Sequence, residues 1–255
     1  MEIVIDGKLN TELGLIIEGD LDLRGTAITE LPENLSVGGS LYLNNTAITK
    51  LPENLSVDGD LDLEDTAITK LPENLSVSGT MYLGGTTITK LPENFSIEGD
   101  LDLNNTAITE LPNNLSVGGF LGLSNTAITE LPENLSIEGY LNLVGTAITS
   151  LPENLSVEGH LDLRGTAITE LPNNLSVGGS LNLEGTTIVN YPVVYNCGSH
   201  NRAIYLDLKD KTIIHIGCFR GTKEEAISRI KEKYPNPEGY INKVKECFDK
   251  LEELK

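Results

Sequence analysis

The chain has no tryptophan, few aromatic residues of any kind (5%) and three cysteines in 255 residues. A core without large rings has to be filled in thin layers by Leu, Ile and Val. Cys197, Cys218 and Cys247 all fall in the last quarter, and their odd number argues against a disulfide framework. No apolar run is long enough to span a membrane, and MEIVIDGKLN at the start has neither the basic nor the apolar region of a secretory signal. The Asn-Leu-Ser triplets at Asn34, Asn54 and Asn74 match a glycosylation sequon, but without that signal they read as loop chemistry. A cytoplasmic protein is expected.

Basic charge is the other scarcity. Residues 191–255 hold twelve Lys/Arg against ten Asp/Glu, so the net charge of −20 leaves −22 on the first 190 residues. A surface this acidic repels nucleic acid and anionic membranes and favours a protein partner with a basic patch. Many of the acids, such as Glu33 and its equivalents, are expected only to keep the protein soluble.

What is present is a repeat. Leu21-x-Leu23, Thr26, Ile28, Leu31-Pro32, Leu35, Val37 and Gly39 return twenty positions later, and the threonine falls at 26, 46 and every twentieth residue to 186. A fixed period of this length means a solenoid, whose units are too small to bury their own apolar face and stack on their neighbours. Leu-x-Leu alternates as a strand with one buried face does. The threonine is expected at an inner turn, bonding backbone groups left unpaired beyond the strand. Proline should keep the return segment free of a continuous sheet, and Gly39 should mark a tight bend. Residues 1–20 read as an N-terminal cap made of a degenerate coil, residues 21–190 as nine units with the last incomplete, and residues 191–255 as a separate capping module.

The unit LDLRGTAITELPENLSVGGS, residues 21–40, resembles the short, 20-residue bacterial class of leucine-rich repeat, through its LxL strand, TxIT segment and LP pair, and the resemblance extends over about residues 15–192. The resemblance implies an α/β solenoid with a parallel sheet on one concave face and irregular returns. Thr stands where that class has Asn, and Gly39 stands where it has an apolar residue, so a generic β-solenoid is the alternative. Residues 191–255 predict a ββαα module, with strands at 203–208 and 212–219. A helix follows, opened by a Thr222/Glu225 capping box, and a second carries Tyr240, Ile241, Val244, Phe248 and Leu251 on one face. This part is similar to the C-terminal modules of phage and prophage repeat proteins, which implies a bacterium or a phage-infected cell as the setting.

Function is sought where the units differ. With Leu21 and Leu23 inward, positions 20, 22 and 24 point outward. The candidate partner-binding residues on that face are Asp20, Asp22, Arg24, Tyr42, Asp60, Asp62 and Tyr82 in the first units. They continue with Asp100, Asp102, Phe120, Tyr140, His160, Asp162 and Arg164. Acid pairs alternate with Ser/Tyr or Thr/Tyr in the first five units, which spaces like charges apart. Phe120, Tyr140 and His160 make the second half more aromatic. Exposed aromatics on a rigid sheet suit protein recognition, against the plain alternative of β-propensity alone.

Other chemistry finds little support. A flat sheet offers too few converging oxygens for calcium. Cys197-x-x-His200 and His215-x-x-Cys218 have zinc-like spacing, but His215 and Cys218 would point to opposite faces of a strand. Cys247-x-Asp249 is similar to the Cys-x-Asp of bacterial leucine-rich-repeat ubiquitin ligases, whose helical catalytic domain does not fit in some sixty residues, so Cys247 is expected in a core. No catalytic, metal or cofactor set is read. Two functions result: a non-catalytic binding solenoid for a protein partner or, alternatively, an acidic phage-encoded decoy filling a basic nucleic-acid-binding site.

Overall fold

The computed structural model describes residues 4–5, 8–9, 16–197, 202–207, 211–216 and 219–254. Along the repeat the chain winds in twenty-residue coils. The strands Leu21–Asp22 to Leu181–Asn182 pair in parallel, each residue beside its equivalent twenty positions on, and form one nine-stranded sheet. Inside, Leu23, Ile28, Leu35 and Val37 and most of their equivalents are completely buried in a single continuous core. Ile17 takes the same register against Val37 and starts the stack.

The threonine column does what its position predicts, within each coil. Thr26 Oγ1 donates to Leu23 O at 2.6 Å, and the bond recurs in every unit to Thr186 and Leu183 O at 2.7 Å. The Thr26 amide donates to the same carbonyl. This closes a turn whose third residue is left-handed, as at Gly25 (φ 65°), Asn45 (φ 57°) and Asp65 (φ 54°). Only Gly, Asn and Asp occupy that position in the nine units, the residue types that tolerate such a backbone.

The Leu-Pro stretch forms turns and no strand, as expected. Directly after it, however, lies a second strand that no alternation in the sequence announces, Ser36–Val37 and its equivalents. These strands also pair in parallel, in a four-stranded and a five-stranded sheet. The glycine column stands at a bend before each strand, as expected, and has a second role as well. Gly159 donates its amide to Gly139 O at 3.0 Å, and a Cβ on Gly159 would stand 2.6 Å from the Gly139 carbonyl carbon. Glycine is needed there because successive coils touch backbone to backbone. The second sheet is interrupted between Val77 and Ile97. In this coil Phe95 replaces the leucine of all the other regular units. Leu75 and Val77, one coil earlier, are only partly buried.

The C-terminal part has four antiparallel strands rather than two: Val193–Cys197, Arg202–Leu206, Ile213–Ile216 and Phe219–Thr222. The run 212–219 contains two elements, because Ile216 pairs directly with Phe219. Helices α1 (Lys223–Lys233) and α2 (Glu238–Glu253) follow, α1 with the Thr222/Glu225 capping box in place. Cys247 is fully buried, as expected of a core residue, with Sγ 3.1 Å from Pro192 O. Val193 and Tyr205 belong to the solenoid core, and the Tyr205 hydroxyl accepts from Leu181 N at 3.1 Å and donates to Leu181 O.

Candidate binding face on the Leu-x-Leu sheet

The outward positions of the first sheet carry the side chains that vary most between units, and many of them also hold the backbone. At position 20 the side chain accepts the amide of the equivalent residue one coil on. Asp20 Oδ1 takes Ser40 N (2.8 Å), Asp60 Oδ1 takes Thr80 N (2.8 Å) and Asp100 Oδ1 takes Phe120 N (2.6 Å). His160 Nδ1 takes Ser180 N (2.7 Å), which puts the proton of the neutral ring on Nε2. At position 22, Asp62, Asp102 and Asp162 accept the amide two residues on, at 2.8–3.1 Å. Asn142 and Asn182 do the same. These are Asx turns, and they satisfy amides that the two-residue strands leave over. One oxygen of most candidate aspartates is therefore already engaged. Asn142 and Asn182 are not among the candidates read from the sequence, nor is Asn104 at position 24, whose Oδ1 takes Ser124 N one coil on at 2.7 Å. For Asn142 and Asn182 the signal was present in the restriction of position 22 to Asp or Asn in six of the nine units.

The acidic half centres on Tyr82, at 36% the most exposed of the tyrosine and phenylalanine rings on the face. Its hydroxyl is pushed above the ordinary tyrosine range by burial and by the carboxylates of Asp60 and Asp100. Burial also raises Asp62 and Glu64, and in Glu64 the neighbouring Asp62, Asp102 and Asp65 add to it. Near the N-terminal end Arg24 forks onto Asp22 (Nε–Oδ1 2.9 Å, Nη2–Oδ2 2.6 Å) and lies 5.0 Å from the Tyr42 ring centre. That pairing, with the guanidinium hydrogen bonds first, holds the Asp22 carboxyl down at about 2.

In the second half the rings touch. Phe120 and Tyr140 lie 5.3 Å apart and tilted, and Tyr140 meets His160 edge-on at 6.2 Å. The Tyr140 hydroxyl donates to Asp162 Oδ2 (3.1 Å), which also receives Arg164 Nε (2.9 Å). Asp162 is 5% exposed, so it lies beneath the face and fixes Tyr140 and Arg164 in place. Among the sequence candidates it is the one withdrawn from contact.

Outside the face, His215 is buried, stacked on Tyr205 at 4.8 Å and bonded through Nε2 to Asp207 Oδ2 at 2.9 Å. Arg220 pairs with the same carboxylate at 3.0 Å. His200, Cys218 and the side chain of Cys197 lie outside the described residues. Among the described residues no three His, Cys, Asp or Glu side chains are grouped to hold a metal ion, and no helix is long and apolar enough to cross a membrane.

No protein-family model matches the chain, and no curated protein matches it. Among solved structures it is similar to YopM from Yersinia enterocolitica WA-314, at 25% identity and a TM-score of 0.42. The match covers 64% of this chain and 38% of that one, so the chain spans well under half the length of that protein. The fold itself is a parallel β-solenoid of stacked twenty-residue coils, followed by a C-terminal antiparallel sheet and two helices.

Proposed function

We propose that the chain is a non-catalytic binding solenoid that recognises a protein partner through the outward face of its Leu-x-Leu sheet. The observation that carries this reading is the split between an unvarying buried frame and a varied outer face whose rings and arginines are held in fixed positions. Tyr140 is anchored on Asp162, Arg164 is forked onto the same carboxylate, and Arg24 is stacked on Tyr42. Groups ordered before binding lose little entropy on association, and aromatic residues and arginine dominate interface energetics. The acidic half favours a partner with a basic surface.

The test combines alanine at Tyr42, Tyr82, Phe120 and Tyr140, with circular dichroism to show that the solenoid stays folded. Partners captured by the native chain from a bacterial lysate are then measured against the variant at low and high salt. Loss of a partner that native protein retains at high salt is the expected result, and unchanged affinity sinks the proposal. A partner that binds nucleic acid and leaves at high salt supports the acidic decoy instead.

A further inference from the structure

Along the second sheet, each coil is tied to the one before it by its backbone. The amide that follows each strand donates to the valine or isoleucine carbonyl of the preceding coil. Before the centre the ties are Gly38 N to Ile17 O (2.7 Å), Asp58 N to Val37 O (2.9 Å) and Ser78 N to Val57 O (3.1 Å). They resume with Gly118 N to Ile97 O (3.0 Å) and Glu138 N to Val117 O (3.1 Å), and the last is Gly178 N to Val157 O (2.9 Å). Between Val77 and Ile97 the tie is missing. Among the described residues, no backbone hydrogen bond joins residues 75–79 to residues 95–99.

Two further observations fall on the same line. Leu75 and Val77 are partly exposed, whereas Leu35, Leu55 and Leu115, and Val37, Val57 and Val117, are completely buried. On the outward face, Asp60 Oδ1 takes Thr80 N and Asp100 Oδ1 takes Phe120 N, but among the described residues no such bond runs from Thr80 to Asp100. The line is closed elsewhere. Met81 N donates to Asp100 O (2.9 Å) and Leu83 N to Asp102 O (2.8 Å), so the nine-stranded sheet is continuous across it. A Cβ on Gly99 would also stand 2.5 Å from Gly79 O, so the two coils still touch there.

A coil in a solenoid is stabilised by itself and its two neighbours, so cooperativity passes along the array through the junctions between coils. A junction that lacks its backbone bonds and leaves two apolar side chains partly in water passes less of it. Such regions are where a native protein opens first. We propose that this seam divides the solenoid into two cooperative blocks, residues up to Val77 and residues from Ile97 on, which open independently and are hinged on the Leu-x-Leu sheet. The seam crosses the outward face. Tyr42 belongs to the first block and Phe120 and Tyr140 to the second, so opening on the second-sheet side changes the angle between them. The seam is a property of the free chain and holds whether or not that face binds a partner.

The test is hydrogen exchange of the full chain in native buffer, read by mass spectrometry. Corrected for intrinsic rates, residues 95–99 are expected to exchange roughly tenfold faster than residues 115–119, whose amides at Ser116, Gly118 and Gly119 are bonded to the preceding coil. Leu61→Ala and Leu141→Ala, both at fully buried positions, then locate the boundary from its two sides. Leu61→Ala is expected to speed exchange in the strands at Leu41 and Leu61 by more than about tenfold and in those at Leu121 and Leu141 by less than about twofold. Leu141→Ala should do the reverse. Equal protection of residues 95–99 and 115–119 would overturn the proposal. So would a response that fades evenly from the substituted coil with no step at the seam, or one that spreads through every coil. A variant that unfolds one block outright still decides the matter, because the other block must keep its protection.

Discussion

The first and eighth units, residues 21–40 and 161–180, differ at one position in twenty, Glu33 against Asn173. Both contain the Asp-Leu-Arg sequence in which the arginine forks back onto the aspartate. Their surroundings nevertheless diverge. The Asp22 side chain is 50% exposed and that of Asp162 only 7%, while the two arginines are about equally open at 53% and 47%. The cause lies one coil away. Tyr140, which ends the sixth unit and leads into the strand of the seventh, reaches forward, covers Asp162 and donates its hydroxyl to it. Arg24 instead leans on Tyr42 in the following unit, and that ring leaves its aspartate in water. In a solenoid a side chain's environment is made by the neighbouring coils, so near-identical units can hold different chemistry.

The comparison breaks most visibly if both aspartates are removed in turn. In Asp22→Ala and Asp162→Ala alike, the Asx turn onto the residue-24 or residue-164 amide is lost. Each also loses an exposed arginine's partner, but only Asp162→Ala strands a tyrosine hydroxyl and deletes a carboxylate that is shielded from water. It is expected to cost about 2 kcal/mol more than Asp22→Ala in denaturant unfolding, because hydrogen bonds to a shielded charge are the stronger kind. Equal effects would show that Tyr140 contributes nothing to the eighth unit.

The same pair of units marks how far the sequence could be read. The coil, the inward Leu-x-Leu, the threonine turn and the outward columns follow from period and alternation, and each is in place. The Ser36–Val37 strand escaped because two residues are too few to show an alternation. Gly39 was visible as a required glycine, but a tight bend and a close backbone approach call for the same residue. Alternating aspartates on the face were explained by charge spacing, whereas the structure gives them a backbone to hold. The cover over Asp162 was not legible at all, since nothing within its own unit distinguishes it from Asp22.

A smaller change converts one unit toward the other. Tyr140→Phe keeps the ring and its contact with Phe120 but deletes the hydroxyl, so Asp162 loses one donor and keeps Arg164. The expected cost is about 1 kcal/mol, the ordinary net value of one hydrogen bond. A double-mutant cycle with Arg164→Met then asks whether the two donors act together on the carboxylate. A coupling energy near zero would mean that they satisfy it independently.

The subtlest difference appears only in alkali. Tyr140 is pushed up to about 12, first by burial and then by the charge of Asp162 and the hydrogen bond to it, with Arg164 pulling the other way. In the unfolded chain the phenol titrates near its ordinary value of about 10. The folded state therefore holds the proton more tightly, and the stabilisation this gives is complete below pH 10 and lost as pH rises through about 12. The difference in tyrosinate absorbance between native protein and Tyr140→Phe isolates this one group. Its midpoint is expected near 12 and should fall when Asp162→Asn removes the neighbouring charge. A midpoint at the ordinary value would mean that Tyr140 stands in water, and the contrast between the first and eighth units would lose its physical cause.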